Sequence, residues 1–331
     1  ERDELMERPP REPKSKCSAF QFGRACASFF AVRPELARRA STRSPTRSKA
    51  LGSGPAGSLP AGGNMHGENT DPQISEEARS AESALTERYR RDGVVYLHGA
   101  LSAATLSLAQ KAYQWSLSHP GPGAAELPSK GSGTFYQDLA NPAAFAHYQT
   151  LLGQPEVGDI VARLWGKDRV WFMYEPVFTT SGGTTRRTPW HQDSSYLPVR
   201  GEDLAVMWIP FDPVDAEHAL EFVAGSHRGP LFDGSRFDPE DDTAPLYGDD
   251  QLPRLPDIEA SRAEWSIVSW RMVPGDVVIF HPAVLHGGAA TEPTRRRRTL
   301  SLRFFGDDAV VASRPGNAAM ELESRPQGLT V

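Results

Sequence analysis

Hydrophobic spacing divides the chain into a helical opening and a β-rich body. From Ser75 the apolar positions Ala78, Ala81, Leu85 and Tyr89 recur at helical intervals and stop at Asp92-Gly93, a pair suited to ending a helix. Gly93-Val94-Val95-Tyr96-Leu97 then reads as a short strand, and Ser102 is placed to cap a second helix with a stripe through Ala104, Leu108, Ala112 and Trp115. After about residue 168 the period shortens, and β segments are predicted over 170–178, 204–211, Leu220–Val223, 266–273, 276–280 and 299–305. Strands that fill one half without alternating helices predict a mainly β fold with flanking helices: an antiparallel sandwich or jelly roll, the early helices packed on one outer face. The Asp- and Pro-rich insert over 232–262 is too irregular for core and reads as a loop or lid. No internal repeat is visible.

Charge changes the picture at the amino end. Residues 1–64 carry 12 Lys and Arg against 6 Asp and Glu, whereas the remaining 267 carry 24 against 36. Nine of the thirteen residues over 51–63 are Gly, Pro or Ser, the composition of a linker. The expected organisation is a disordered basic extension or non-native leader over 1–64, with Met65 as the expected start, and one domain over 65–331. Glu1, Asp3, Glu4 and Glu7 count against an organellar transit peptide in that extension. The acidic body excludes general nucleic-acid binding. No run approaches eighteen apolar residues and no secretory pattern is seen, so no membrane association and a cytoplasmic location are expected. Cys17 and Cys26 are the only cysteines, which excludes a disulfide framework and a cysteine-rich zinc site. Any metal must be held by His, Asp or Glu.

Three constellations could carry chemistry. In Trp190-His191-Gln192-Asp193, residues two apart on an extended strand share a face, so His191 and Asp193 can bind one ion; alone, a His-x-Asp is common and reads equally as a polar strand end. In the segment 280–288, His281 and His286 compete to complete a set of two histidines and one carboxylate, the arrangement that leaves positions open on non-haem Fe(II). One of the pair is expected to be structural. Finally, strand alternation from Arg297 places Arg297, Thr299, Ser301 and Arg303 on one face, and Arg298, Leu300, Leu302 and Phe304 on the other. A guanidinium on the polar face suits a carboxylate ligand, and the other arginines over 295–298 read as a solvated basic turn. For Arg303 the candidates are an anionic substrate or, preferred, a buried Asp or Glu.

The order of these pieces resembles the phytanoyl-CoA dioxygenase family of Fe(II)/2-oxoglutarate oxygenases. The likeness runs from about Leu85 to Asp308: Tyr-Arg-Arg-Asp-Gly-Val-Val at 89–95, His191-Gln192-Asp193, Leu-Glu-Phe-Val-Ala-Gly-Ser-His-Arg at 220–228, then His286-Gly287 with Arg297 eleven residues on. The resemblance implies a double-stranded β-helix (jelly roll, cupin-like), with Fe(II) held by His191, Asp193 and His286, and Arg297 on the far carboxylate of 2-oxoglutarate. It places Met173 and Trp208 beside the cosubstrate and makes His227 part of a structural turn. One departure is Gly288, where relatives often carry a hydroxyl residue, so that one hydrogen bond to the cosubstrate carboxylate is either missing or supplied by Thr299 or Ser301. The implied reaction uses O2 and 2-oxoglutarate to hydroxylate a small organic molecule, with release of succinate and CO2. Asp193 favours hydroxylation over halogenation, since halogenating relatives replace that carboxylate with a small residue, and desaturation or ring closure stay as alternatives. The alternatives are a non-catalytic metal-binding sensor or scaffold and a cupin-type enzyme without 2-oxoglutarate. Segments around 128–136, Ser194, Ser195, Tyr196 and the insert are the candidate substrate walls, none naming a compound. The assembly is expected to be a monomer or dimer.

Overall fold

The computed structural model describes residues 72–128, 133–181, 187–238, 240–248, 250–288 and 296–315. The extension over 1–64, Met65 and Arg295 lie outside the described residues, as does part of the segment 128–136.

The amphipathic opening forms α1 (Pro72–Asp92), ended by Gly93 at φ +72, and β1 (Val94–Leu97) follows. Ser102 caps α2 (Ala103–Ser118) by accepting the Thr105 N–H at 3.2 Å. The buried stripe of α2 is Thr105, Ala109, Ala112, Tyr113 and Ser116, one position round from the predicted one. Tyr113 causes the offset: its ring packs edge-on to Phe211 at 4.9 Å and its hydroxyl bonds Thr179, which turns Ala104 outward. Next come the hairpin β2 (Ala125–Pro128) and β3 (Thr134–Leu139), then α3 (Phe145–Leu152) and α4 (Pro155–Trp165), none of which the hydrophobic pattern had separated. The predicted segment 170–178 is broken at Glu175 into β4 (Trp171–Tyr174) and β5 (Pro176–Ser181).

The remaining strands are β6 (Thr188–His191), β7 (Val199–Arg200), β8 (Leu204–Pro210), β9 (Leu220–Val223), β10 (Ile267–Val268), β11 (Val277–Phe280), β12 (His286–Gly288), β13 (Arg297–Phe305) and β14 (Val310–Val311). They build an eight-stranded sheet in the order β1-β11-β8-β13-β5-β3-β2, with β4 on the far half of β13, and a four-stranded sheet in the order β10-β9-β12-β6. Every ladder in both sheets is antiparallel. The fold is thus mainly β, a cupin-like jelly roll with helices on the outside. Only Ile267 and Val268 of the predicted strand 266–273 join a ladder; Met272 makes an isolated bridge to Val214.

Alternation sorts the core into layers. On β8, Ala205, Met207 and Ile209 face the helices, joined by Val277 and Ile279 of β11 and by Leu300, Leu302 and Phe304 of β13. Val206 and Trp208, with Val278 and Phe280, face the other way and meet Phe222 and Val284 from the small-sheet side. The insert is not all surface loop, contrary to the sequence reading: Leu255 and Ile258 are buried against Trp190, Val223 and Leu285. Phe232 packs, partly buried, against the same cluster, and these three unevenly spaced residues show no periodic pattern.

Candidate metal centre

The pairing of β6 with β12 sets His191 directly across from His286, their rings 4.2 Å apart between centroids. Gln192 remains extended (φ −116, ψ 126) as the chain leaves β6, so Asp193 returns to the His191 side at the start of a short 3-10 turn. One ligand atom from each of His191, Asp193 and His286 lies within 4.8 Å of the other two, and all three residues are buried. Asp193 Oδ1 is 3.7 Å from His191 Nε2.

The imidazoles are prepared in the same way. His191 Nδ1 donates to Pro189 O at 2.9 Å and His286 Nδ1 donates to Val284 O at 2.9 Å. A carbonyl only accepts, so each Nδ1 carries the proton and each Nε2 presents a lone pair. Burial, reinforced by His191, pulls His286 down to about 3; burial also lowers His191, against the opposing pull of Asp193. Both are neutral at physiological pH. Burial alone would push Asp193 up, but the Arg303 guanidinium and the imidazoles outweigh it and leave the carboxyl below its ordinary value. Two neutral imidazole nitrogens and one ionised oxygen form a donor set that fits a divalent metal such as Fe(II) and leaves coordination positions open.

Aromatic rings enclose the cluster. Phe280 and Phe222 lie 4.6 and 5.9 Å from the His286 ring, and Tyr196 lies 6.1 Å from His191. Phe237 of the insert sits edge-on to His191 at 5.4 Å while 43% exposed, its backbone at φ +56.

The inner face of β13 carries Arg297, Thr299, Ser301 and Arg303, as alternation predicts. Arg297 donates to His218 O at 2.7 Å, and desolvation lowers it to about 10; no carboxylate among the described residues pairs with it. Thr299 and Ser301 are buried beside it. Trp208 stands on the same inner face, directly across from Ser301. Met173 packs with Leu197, Val199 and Leu204 in a separate cluster. Arg303 meets a buried carboxylate, that of Asp193, at 2.6 Å. Arg298, read as a solvated turn residue, instead forms a two-pronged pair with Asp212. Arg296 is exposed.

His281 stands apart from the cluster. Its Nδ1 accepts the Ala283 N–H at 3.1 Å and its Nε2 donates to Gly201 O at 3.2 Å, so both ring nitrogens are consumed by backbone. His227 Nε2 meets Arg90 O at 3.1 Å in the turn after β9. In that turn Ser226 Oγ donates to Val223 O (2.7 Å) and accepts the Leu285 N–H (2.8 Å), pinning the residue before His286.

Glycine after the distal histidine has a steric cause. A Cβ at Gly287 would lie 2.9 Å from Thr188 O, and one at Gly288 3.1 Å from Thr188 Oγ1. The Thr188 hydroxyl therefore stands where a side chain at 288 would begin. Sequence reasoning missed Thr188, Tyr174, which bonds Arg303, and Ser226. For Ser226 the Gly-Ser turn was a usable signal; Thr188 and Tyr174 depend on strand register, which the chain does not display.

A family model described as phytanoyl-CoA dioxygenase (PhyH) matches residues 89–299. The chain is 29% identical over 182 residues to a probable phytanoyl-CoA dioxygenase of Caenorhabditis elegans, covering 53% of this chain and 55% of that protein. It is 27% identical over 208 residues to the peroxisomal phytanoyl-CoA dioxygenase of Homo sapiens, covering 61% and 58%. It thus spans a little over half the length of these curated relatives. Among solved structures, the epimerase SnoN in complex with Fe3+, alpha ketoglutarate and nogalamycin RO matches with a TM-score of 0.57 at 19% identity, over 76% of this chain and 94% of that one. EctD from S. alaskensis in its apoform matches with a TM-score of 0.53 at 18% identity, over 70% and 79%. These likenesses show a shared fold.

Proposed function

The chain belongs to the phytanoyl-CoA dioxygenase family, and from that premise we propose that it is an Fe(II)- and 2-oxoglutarate-dependent dioxygenase that hydroxylates a small organic substrate. The observation that carries the reading is the buried convergence of His191, Asp193 and His286, with a row of polar side chains led by Arg297 on β13. Bound Fe(II), with O2 and 2-oxoglutarate, supplies the oxidative chemistry: the keto acid is decarboxylated to succinate and CO2 as one oxygen atom enters a substrate C–H bond.

The protein supplies ligands, orientation and exclusion of water. His191 and His286 offer Nε2 lone pairs that need no deprotonation at neutral pH, and Asp193 offers one anionic oxygen. Arg297 is assigned to the far carboxylate of 2-oxoglutarate; its desolvated guanidinium, bonded so far to one carbonyl, gains most from an anionic partner. Thr299 and Ser301 are assigned hydrogen bonds along that cosubstrate, and Thr188 stands in for the hydroxyl that Gly288 lacks. Trp208 and Met173 are assigned to the walls at the cosubstrate end. Phe222 and Phe280 keep water from the His286 side. The reading places the activity in residues 65–331, in the cytoplasm, on a small molecule and not on nucleic acid or a membrane; the relative from Homo sapiens is described as peroxisomal.

The test is succinate formation from 2-oxoglutarate by iron-loaded protein in air. Slow turnover without added substrate is expected from the wild type, retained in His281→Ala and lost in His286→Ala. Equal succinate from all three proteins would refute the assignment.

A further inference from the structure

Two arginines of one strand meet aspartates in different ways. Arg298 of β13 grips Asp212 with both prongs, Nε to Oδ2 at 3.0 Å and Nη2 to Oδ1 at 2.7 Å. Arg303 of the same strand takes one oxygen only, Nη2 to Asp193 Oδ2 at 2.6 Å, and its Nε is buried without a hydrogen-bond partner. Its Nη1 donates to the Tyr174 hydroxyl, and its guanidinium lies 4.8 Å over the Tyr174 ring. Tyr174 is held directly across from Arg303 by the β4–β13 pairing. A fork that engaged both Asp193 oxygens would set a guanidinium N–H, and its positive charge, against the oxygen that faces the imidazoles. The observed arrangement gives up one guanidinium hydrogen bond and keeps Oδ1 on the imidazole side.

The metal cluster therefore has three outer anchors. Pro189 O and Val284 O fix the ring orientations of His191 and His286 through strand backbone. Asp193 begins a 3-10 turn, where no ladder directs its side chain. The pairing with Arg303 is a buried ion pair, 9% and 10% exposed at the two side chains. Such pairs contribute little net stability, so orientation explains its presence better than stability does. Resting on the metal site proposed above, we infer that Arg303 is the positioning residue for Asp193: it holds one carboxylate oxygen so that the other faces the two imidazoles. In this way the large sheet sets the geometry of a ligand that leaves the small sheet.

The experiment is a Co(II) titration of the full chain followed by the visible d–d spectrum, on the wild type, His286→Ala, Arg303→Gln, Arg303→Lys and Tyr174→Phe, with circular dichroism to show that each is folded. Arg303→Gln should weaken Co(II) binding by about 10- to 100-fold and alter the band shape, the effect typical of losing an outer partner of a metal ligand. Arg303→Lys keeps the charge without the planar fork and should fall between, and Tyr174→Phe should cost a few-fold while leaving the ion pair in place. Should Arg303→Gln fail to fold, the other two variants decide the matter. Wild-type affinity and spectrum in all three, with binding lost in His286→Ala, would overturn the role of Arg303 while the metal site stands. No Co(II) uptake by the wild type would overturn the metal site, and the role of Arg303 with it.

Discussion

His281 and His286 are five residues apart, and burial lowers the pKa of both, yet their surroundings give them opposite uses. Backbone groups occupy both nitrogens of His281 but only Nδ1 of His286, which leaves Nε2 of His286 beside His191 and Asp193. Spacing to Arg297 and the following glycine pointed to His286; the reason for excluding His281, its bond to Gly201 across eighty residues, could not be read from the chain. Arg297→Ala removes the guanidinium assigned to 2-oxoglutarate. It should raise the cosubstrate dissociation constant by about 10- to 100-fold, the value of a charge-assisted pair, while Fe(II) binding is unchanged. Calorimetric titration with each ligand checks both halves. The alternation that put Arg297, Thr299, Ser301 and Arg303 on one face was legible because a long strand has a strict period of two. The identity of Asp193 as the partner of Arg303 was not, since it joins residues 110 apart.

At the scale of elements, the site depends on the close approach of β6 and β12. Gly287→Ala would press a methyl carbon onto Thr188 O at 2.9 Å, and neither backbone can yield without moving His191 relative to His286. The expected result is loss of metal affinity by at least tenfold with far-ultraviolet circular dichroism preserved; unchanged Co(II) binding would contradict it. Phe222 is fully buried on β9, 5.0 Å from Phe280 and 5.9 Å from His286. Phe222→Ala should cost about 3–5 kcal/mol, measured by urea unfolding. Strands with long apolar runs, such as β8 and β11, were visible from the sequence to within two residues. The three-residue β12 was not, because two of its residues are glycine, and β6 was read only as an extended strand end at His191 without bounds; the equally short β1 and β9 were legible through their β-branched and aromatic residues. The α2 stripe was misplaced by one position for a related reason: small residues on both sides of the helix left the choice to Tyr113.

At the scale of the whole molecule, stability responds to pH through Glu175, a buried acid in the one-residue break between β4 and β5. It is 3% exposed, accepts the Asn141 N–H at 3.1 Å, and burial pushes it up to about 8 from an ordinary 4.5. The folded protein thus keeps a proton that the unfolded chain releases. Stability from this group is complete below about pH 4.5 and is lost as pH rises to about 8, by at most ~1.4 kcal/mol per unit. Asp138, also raised by burial, acts with the same sign. Glu175→Gln should flatten the decline of the thermal midpoint over that interval; an unaltered profile would show that Glu175 is ionised in the fold. The β-rich body, its helical cover and the order of the motifs were legible in the sequence because they rest on period and spacing. The hairpin, α3, α4 and the buried part of the insert were not, because they acquire meaning only when packed. The most direct test of the combined site is an anaerobic absorbance titration of the protein with Fe(II) and then 2-oxoglutarate, with His191→Ala as control. A visible charge-transfer band is expected only when both are present, and absent from the control. Stoichiometric iron binding without that band would contradict the account and leave a metal-binding jelly roll that does not use the keto acid.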